Sequence, residues 1–267
     1  MADEYTNPRA DYAARLNTNT PHAARIWNYW MGGKDNYAAD RQAGDAVASV
    51  YPDIVTMAKQ SRKFLIRTVK WVAEEGGVTQ FLDIGTGLPT MQNTHEVAQS
   101  VHPDARIVYV DNDPMVLVHA RALLVNTTPE GVTTYVEADY HDPELIVADA
   151  RNVLDFTKPI CVMFMGVLGY VEKLDELKSI VDRVMAHVPS GSYMIFWDSS
   201  EGDEIGDGAD KLVESGGVPY YLRSVEELKS VFEGLEFVEP GLVPLSQWHP
   251  TEYERPIDSF GGVARKP

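Results

Sequence analysis

Cysteine is nearly absent from this sequence, since Cys161 is the only one among 267 residues. No disulfide can form within the chain, which is typical of proteins from a reducing compartment. Cys161 lies in an apolar segment and is expected to be an inert core residue. No apolar run approaches the roughly 18 residues that a membrane-spanning helix needs, and the polar start Met1-Ala2-Asp3-Glu4 is unlike a signal peptide. These absences favour a cytoplasmic protein without a membrane partner.

Positive charge is also scarce. The sequence holds 23 Lys and Arg against 40 Asp and Glu, which gives a formal net charge of -17 at pH 7. A field of that sign repels polyanions, so neither nucleic acid nor an anionic membrane is expected as a partner. The basic residues from Arg62-Lys63 to Lys70 fit the polar face of a helix. With 44% hydrophobic residues, the chain can form one α/β domain with an attached lobe.

The glycine-containing stretch from Phe81 to Pro89 lacks the third glycine of a dinucleotide-binding fingerprint. An apolar run there leads through Asp83 into a turn at Gly85 and Gly87. Thr90 stands where a dinucleotide fingerprint has its last glycine, and Asp83 would repel a pyrophosphate. A cation such as S-adenosylmethionine, with a sulfonium and an ammonium but no phosphate, suits this turn better. Taken alone, the fragment is equally consistent with a simple tight turn.

Two further strands are predicted to end in acids. Arg106 to Val110 leads into Asp111, somewhat beyond the spacing of about 20 residues at which a Rossmann-like site holds ribose hydroxyls. Val132 to Ala138 leads into Asp139 and Tyr140, which would border the adenine ring. Such an acid is more often a solvated turn residue, but acids at several strand ends favour a binding site. The residues predicted to bind the cofactor on this basis are Asp83, Gly85, Thr86, Gly87, Asp111, Asn112, Asp139 and Tyr140.

With these motifs the sequence resembles a class I S-adenosylmethionine-dependent methyltransferase. The stretches from Ala24 to Tyr29 and from Gly32 to Tyr37, followed by Asp40-Arg41, are similar to an actinobacterial methyltransferase family whose substrates are largely unassigned. The resemblance extends from about Pro21 to Lys266. It implies a Rossmann-like α/β fold with a mostly parallel sheet, an antiparallel last strand and an N-terminal helical lid. Residues 1–76 would form an arm and this lid, and residues 77–267 the cofactor-binding core.

The resemblance also implies cofactor contacts outside the strand ends. Lys34, Asn36 and Tyr37 are predicted to reach the carboxylate and ribose edge of S-adenosylmethionine. Without the resemblance, this loop would be read as a glycine-rich helix stop with a solvated lysine. Met165 and Gly166, at the end of the apolar strand Ile160 to Met165, are expected along the cofactor and to face its methyl group.

The remaining pattern is mainly helical. Thr20 is predicted to cap a helix that Gly32-Gly33 ends, and further helices are predicted from Asp40 to Val50 and from Asp53 to Glu75. These three helices would cover the strand ends as a lid. The acidic stretch Glu201 to Asp210 lacks the ligand pattern of a calcium loop and is interpreted as a solvated loop. His95 is expected on a helix surface.

Methyl transfer from a sulfonium requires alignment of the acceptor and removal of water more than a dedicated nucleophile. If the acceptor is a hydroxyl or a protonated amine, a base would help, and the candidates are Tyr170, His249 and Asp198. We expect a methyltransferase acting on a small-molecule acceptor. The alternatives are a non-catalytic S-adenosylmethionine-binding sensor or assembly protein and, less consistent with Asp83, an NAD-dependent oxidoreductase. The sequence indicates no metal site, and neither the acceptor nor an oligomeric state follows from it.

Overall fold

The structure, a computed structural model, describes residues 17–89, 92–113, 115–116 and 125–267. Most of the N-terminal arm predicted within residues 1–76 therefore lies outside the described residues. The helices are α1 (Ala23–Trp30), α2 (Ala38–Val50), α3 (Asp53–Glu74), α4 (Thr94–Val101), α5 (Pro143–Ala150), α6 (Leu174–His187), α7 (Asp203–Glu214) and α8 (Val225–Ser230). The strands are β1 (Gln80–Ile84), β2 (Arg106–Asp111), β3 (Val132–Glu137), β4 (Cys161–Met165), β5 (Tyr193–Ser199), β6 (Glu236–Phe237), β7 (Val243–Pro244) and β8 (Ser259–Arg265).

These strands form a single sheet in the order β3-β2-β1-β4-β5-β8-β6, and β7 also pairs with β8. The strands from β1 to β5 are parallel, and β8 runs antiparallel to β5. The predicted mostly parallel sheet with an antiparallel last strand is thereby confirmed. Because the strand order reverses between β1 and β4, a ligand crevice is expected outside the carboxyl ends of these two strands.

Each face of the sheet is covered by helices, because alternate residues of a strand point to opposite sides. Phe81 packs in the cluster that includes Phe64 of α3, whereas its neighbour Leu82 packs in the cluster that includes Leu177 of α6. Burial on both faces explains why β4 is apolar without alternation. The sheet is thus the middle layer of three.

The carboxyl ends of the parallel strands lie beneath α1, α2 and the start of α3. A buried ion pair holds α1 to α2, since Arg25 Nε lies 3.0 Å from Asp40 Oδ2. One hydrophobic cluster runs from Ile26 and Val47 in these helices to Ile195 in the sheet. The predicted lid helices are therefore present and share a core with the sheet, while the division into residues 1–76 and 77–267 stays a prediction.

The solvated loop predicted for Glu201 to Asp210 is wrong, because this stretch contains most of α7. Ile205 and Leu212 are buried on one side of the helix, whereas Asp203 and Glu204 are exposed in its first turn. Acids in a first turn are favoured by the helix dipole. The acidic residues thus mark the start and the outer side of an amphipathic helix that packs against α2.

Two smaller predictions also need correction. The residue that precedes α1 is His22 and not Thr20, whose carbonyl oxygen accepts a hydrogen bond from Arg25 instead. His95 is buried, not on the surface, and its backbone N–H and its Nδ1 both contact the Tyr109 hydroxyl, at 2.8 and 2.9 Å. A polar partner inside the core satisfies the imidazole, which the sequence of α4 alone does not reveal.

Candidate functional site

A cavity of about 390 Å³ lies at the carboxyl ends of the parallel strands. One half is formed by the loop after β1 and by the ends of β2 and β3, and the other half by the ends of β4 and β5 together with α7. The helices α1, α2 and α3 cover both halves. The size is that of an ordinary small-molecule site, for which about 300–1,000 Å³ is typical. The crevice expected from the strand order is therefore present as a pocket at these strand ends.

The glycine turn after β1 is held against β2 by two hydrogen bonds. The N–H groups of Gly85 and Thr86 both donate to the carbonyl oxygen of Val110, at 2.8 and 3.1 Å. Gly85 has φ +73° and Gly87 φ +67°, a region that residues with a side chain avoid. A Cβ on Gly85 would lie 2.2 Å from Val167 Cγ2, whereas one on Gly87 would meet nothing within 4 Å. Gly85 is thus required by packing as well as by backbone conformation.

Asp111, at the end of β2, fixes the turn from the other side. Its Oδ2 accepts a hydrogen bond of 2.8 Å from the Gly87 N–H, and its Oδ1 accepts one of 2.9 Å from the Asp113 N–H. Burial raises the pKa of Asp111, although these two hydrogen bonds favour its ionised form. Asp111 lines the cavity with Gly85, Thr86 and Gly87, so the structure brings these predicted residues together.

Asp83 lines the same cavity from the end of β1 and is only 4% exposed. Its Oδ2 accepts a hydrogen bond of 2.7 Å from the Thr94 hydroxyl. Burial raises the pKa of Asp83 to about 6, although the Thr94 hydrogen bond and the charge of Arg62 favour the carboxylate. The two acids at the ends of β1 and β2 therefore share one cleft, as the sequence predicts.

Arg62 is a cavity residue that the sequence did not reveal. Its position in α3 was assigned to the polar face of the helix, but the structure places it in the lining of the cavity. Its Nε is buried and has no hydrogen-bond partner among the residues that the structure describes. In the sequence, only its position two residues before the apolar Phe64 could have indicated that Arg62 points towards the interior.

At the end of β3, Tyr140 and Asn112 line the cavity but Asp139 does not. Asp139 accepts a hydrogen bond of 2.8 Å from the Asn112 side-chain amide and contacts His141 through its other oxygen. It therefore orients Asn112 towards the site. A direct contact of Asp139 with the cofactor stays a prediction.

Met165 and Gly166, which were predicted to lie along the cofactor, line the cavity after β4, and so does the candidate base Tyr170. Gly166 has φ +71°, and a Cβ there would lie 2.4 Å from the ring of Trp197. The ring of Tyr170 meets that of Tyr220 edge-on, with centroids 4.9 Å apart. The absence of a side chain at Gly166 thus allows Trp197 to form part of the wall.

Asp198 reaches the cavity only through Tyr220. This candidate base lies inside β5, is fully buried and does not line the cavity. Its Oδ1 accepts hydrogen bonds from the Tyr220 hydroxyl and, at 2.8 Å, from the Ser199 N–H. Burial raises the pKa of Asp198 to about 6, although these hydrogen bonds favour the ionised form. Tyr220, which lines the cavity, was not predicted.

His249 is not among the residues that line the cavity, so the structure does not support its assignment as a base. Its ring stacks on Trp248 with centroids 4.3 Å apart, and its Nε2 lies 2.8 Å from the Glu239 carbonyl oxygen. Trp248 in turn packs edge-on against Phe64 and Trp71 of α3. The loop is therefore a packing element on one face of the sheet.

The loop between α1 and α2 has a structural role. The Asn28 side-chain oxygen accepts hydrogen bonds of 3.1 Å from the Asp35 N–H and from the Asn36 side-chain amide. Tyr37 precedes α2, and the guanidinium of Arg25 lies 5.4 Å from its ring centroid. Lys34, Asn36 and Tyr37 are not among the residues lining the cavity. Their contact with a ligand stays a prediction that this arrangement does not support.

Within the described ranges, no three His, Cys, Asp or Glu side chains lie close enough together to hold a metal ion. Of the helices that the structure describes, none has the length and apolar character that crossing a bilayer requires.

The cavity fits an adenosyl sulfonium compound. Its β1–β2–β3 half has two carboxylates, the buried Asp83 and the half-buried Asp111, and an open approach to Gly87. Carboxylates favour a nearby cation and disfavour a phosphate. Tyr140 supplies an aromatic wall and Asn112 a polar amide where an adenine ring would lie. The residues present therefore suit S-adenosylmethionine better than a dinucleotide.

Comparison with known proteins gives the same result. A family model described as S-adenosyl methyltransferase matches residues 9–267. A DUF574 family protein from Streptomyces avermitilis MA-4680 is 42% identical with a TM-score of 0.90, and the match covers 94% of this chain and 99% of that one. A candidate methyltransferase from Thermobifida fusca YX is 38% identical with a TM-score of 0.87, covering 94% and 96% of the two chains.

More distant proteins share the fold alone. The magnesium protoporphyrin IX methyltransferase of Synechocystis PCC 6803, solved with S-adenosylmethionine bound, is 10% identical with a TM-score of 0.53 over 100% of both chains. No curated protein matches the sequence. From the family match and the two similar structures, the chain belongs to the S-adenosyl methyltransferase family and is an enzyme whose cofactor is S-adenosyl-L-methionine.

Proposed function

We propose that this methyltransferase acts on a small-molecule acceptor with an apolar, largely planar body. The observation that carries the proposal is the lining of the β4–β5 half of the cavity. Trp27 and Trp197 pack against each other in this wall, tilted by 31° with ring centroids 5.8 Å apart, and Trp30 meets Trp27 edge-on at 5.7 Å. Aromatic walls favour flat apolar ligands, and a charged acceptor would lose its hydration without compensation.

The cover over this half supports a small acceptor. The helices α1 and α2 lie above the strand ends, and α7 adds Ile205 and Leu212 to the wall. A nucleic acid would in addition meet the repulsion of a chain with a net charge of -17. With α1 and α2 above the strand ends, this half of the cavity suits a small molecule better than a segment of a protein.

Tyr220 and Asp198 are placed to handle a proton of the acceptor. When bound, S-adenosylmethionine supplies a methyl group on a sulfonium, which departs as a neutral thioether. The Tyr220 hydroxyl lies 3.4 Å from the carbonyl oxygen of Gly166, at the end of β4. An acceptor hydroxyl there could pass its proton to the Tyr220 oxygen while Tyr220 passes its own proton to Asp198. The pKa of Asp198, which burial raises to about 6, leaves its carboxylate mostly ionised near neutral pH and able to accept that proton.

The test is transfer of a labelled methyl group from S-adenosylmethionine into fractions of a cell extract. We expect label in an apolar small-molecule fraction. Label confined to protein or nucleic acid would overturn the proposal.

A matched pair of variants shows whether this half of the cavity holds the acceptor. Ala209→Trp fills it from α7, whereas Asp207→Trp adds the same side chain to the exposed side of that helix. The first should abolish transfer while leaving S-adenosylhomocysteine binding unchanged, and the second should affect neither. Equal activity of both variants would place the acceptor elsewhere.

A further inference from the structure

Tyr51 has a buried hydroxyl without a partner in the β4–β5 half of the cavity. The residue directly follows α2, lines the cavity and is only 2% exposed. Its hydroxyl oxygen is buried and has no hydrogen-bond partner among the described residues. A buried polar group normally has such a partner, because leaving the hydrogen bond unmade costs free energy. The hydroxyl is therefore open to a partner from a bound ligand.

The ring of Tyr51 lies on the α7 side of the cavity. The Tyr51 N–H donates to the carbonyl oxygen of Val47 at 2.8 Å, which fixes the residue at the end of α2. Next to it is Gly208 of α7, where a Cβ would lie 3.0 Å from the Tyr51 Cβ. Gly208 lines the cavity as well. The glycine thus lets α7 approach Tyr51 closely, and both belong to the wall of the half in which we place the acceptor.

Other tyrosine hydroxyls around the cavity have a partner or lie in the half that suits the cofactor. The Tyr220 hydroxyl donates to a carboxylate of β5, and the Tyr109 hydroxyl accepts a hydrogen bond of 2.8 Å from a backbone N–H of α4. The Tyr135 hydroxyl is also buried without a partner in the described ranges, but Tyr135 belongs to β3 and lines the β1–β2–β3 half. The hydroxyl of Tyr51 is thus left for the ligand of the β4–β5 half.

The charges around Tyr51 favour a neutral partner. Burial raises the pKa of Tyr51, and the charges of Asp258 and Asp53 raise it further. Arg255 opposes them only in part. The hydroxyl therefore keeps its proton at neutral pH and can donate it in a hydrogen bond. The same acids repel a carboxylate at this position, so the partner that fits is the oxygen of a hydroxyl or a carbonyl group.

We propose that Tyr51 hydrogen-bonds a neutral oxygen of the acceptor and so selects acceptors that carry a second polar group besides the one that is methylated. The inference rests on the proposed function, because it specifies the acceptor of the same half of the cavity. An acceptor without that oxygen would leave the hydroxyl buried and unpaired. Such a site discriminates strongly against the ligand that lacks the polar group.

The experiment is calorimetric titration of the full-length protein, saturated with S-adenosylhomocysteine, with planar probes. The probes are naphthol, which has one hydroxyl, and dihydroxynaphthalenes with a second hydroxyl on the other ring. The wild type should bind at least one dihydroxynaphthalene about tenfold more tightly than naphthol, as one hydrogen bond allows. Tyr51→Phe should lose this preference and bind naphthol within about twofold of the wild type. Tyr253→Phe, which removes a hydroxyl from an 89% exposed side chain, is the matched control and should keep the preference.

The outcomes separate the role of Tyr51 from the proposed function. A wild type without the preference, or a Tyr51→Phe variant that keeps it, would overturn the role of Tyr51 and leave the proposed function intact. A wild type that binds none of the probes would overturn the proposed acceptor class and this inference with it. Ala209→Trp, which fills this half of the cavity, should bind no probe. Probe binding that survives in Ala209→Trp would lie outside this half and would overturn both.

Thermal unfolding without ligand tests whether the hydroxyl has a partner in the free protein. Replacing a buried hydroxyl that has none removes an unmet cost of desolvation, so Tyr51→Phe should raise the melting temperature by about 2–4 °C. A hydrogen bond in the free protein would instead make the variant less stable, and a lower melting temperature would overturn the proposal. A tyrosine needed only for packing would not combine higher stability of the variant with weaker binding of the probe.

Discussion

The Tyr220 hydroxyl donates a hydrogen bond to the carboxylate of Asp198, and this contact joins the wall of the cavity to strand β5. Asp198 is fully buried, and its Oδ2 has no hydrogen-bond partner within the described part of the chain. The protonation of a sheet residue is therefore linked to a side chain that a ligand can touch.

Asp198→Asn should change how stability depends on pH. Burial raises the pKa of Asp198 from 3.8 to about 6. The folded state therefore binds this proton more tightly than the unfolded state, and the associated stability is present below pH of about 4 and lost as pH rises through about 6. Relative to the wild type, the variant should gain unfolding free energy between these pH values, on the order of 1–3 kcal/mol. Urea unfolding measures this gain.

The control for that measurement is Asp207→Asn on the exposed side of α7. Its unfolding free energy should follow that of the wild type at every pH. If the unfolding free energies of Asp198→Asn and the wild type changed in parallel with pH, burial would not raise the pKa of Asp198.

Tyr220→Phe keeps the ring but removes the hydrogen bond to Asp198. The loss should cost about 1–3 kcal/mol of unfolding free energy above the pKa of Asp198, where the carboxylate is ionised, and less below it. Methyl transfer should fall while S-adenosylhomocysteine binds as before. Tyr221→Phe removes a hydroxyl that does not contact Asp198 and should behave as the wild type. Equal losses of unfolding free energy above and below a pH of about 6 would show that the hydrogen bond does not depend on the ionisation of Asp198.

Gly85→Ala and Gly87→Ala form a matched pair in one turn. Both glycines have positive φ, so each alanine should cost about 1–2 kcal/mol of backbone strain. Only the Cβ at position 85 also collides with Val167, at 2.2 Å. We expect Gly85→Ala to be the more destabilising by thermal unfolding and to lose S-adenosylhomocysteine binding. Equal melting temperatures of the two variants would contradict this account.

Asp40→Ala should loosen the cover of the cavity. The carboxylate of Asp40 pairs with Arg25 and accepts hydrogen bonds from the N–H groups of His22 and Tyr37, at 2.9 and 2.8 Å. Its removal leaves a buried guanidinium unpaired, at a cost of about 3–5 kcal/mol of unfolding free energy. Asp45→Ala removes an exposed acid from the same helix and should cost under about 1 kcal/mol. Denaturant unfolding compares the two, and similar losses would disprove the role given to Asp40.

Much of the fold was predictable because its signals are local. The apolar runs of β1 and β4 and the glycine turn between β1 and α4 occur where the sequence indicates them. The helix α3 was also predicted almost to the residue, since its buried positions recur at helical spacing. The stretch that forms α7 was predicted as a loop because of its many acidic residues. The helical spacing of Ile205 and Leu212 was not taken into account.

The sequence by itself determined the strands, their acidic ends and the turn at Gly85, because side-chain alternation and backbone conformation are properties of neighbouring residues. Only the tertiary structure decided which polar groups face the cavity. Arg62 enters it and Lys59 does not, and Asp198 acts through Tyr220, because the packing of α3 and of the segment after α7 against the sheet fixes these directions. Such packing joins residues far apart in the chain, so no local pattern contains it.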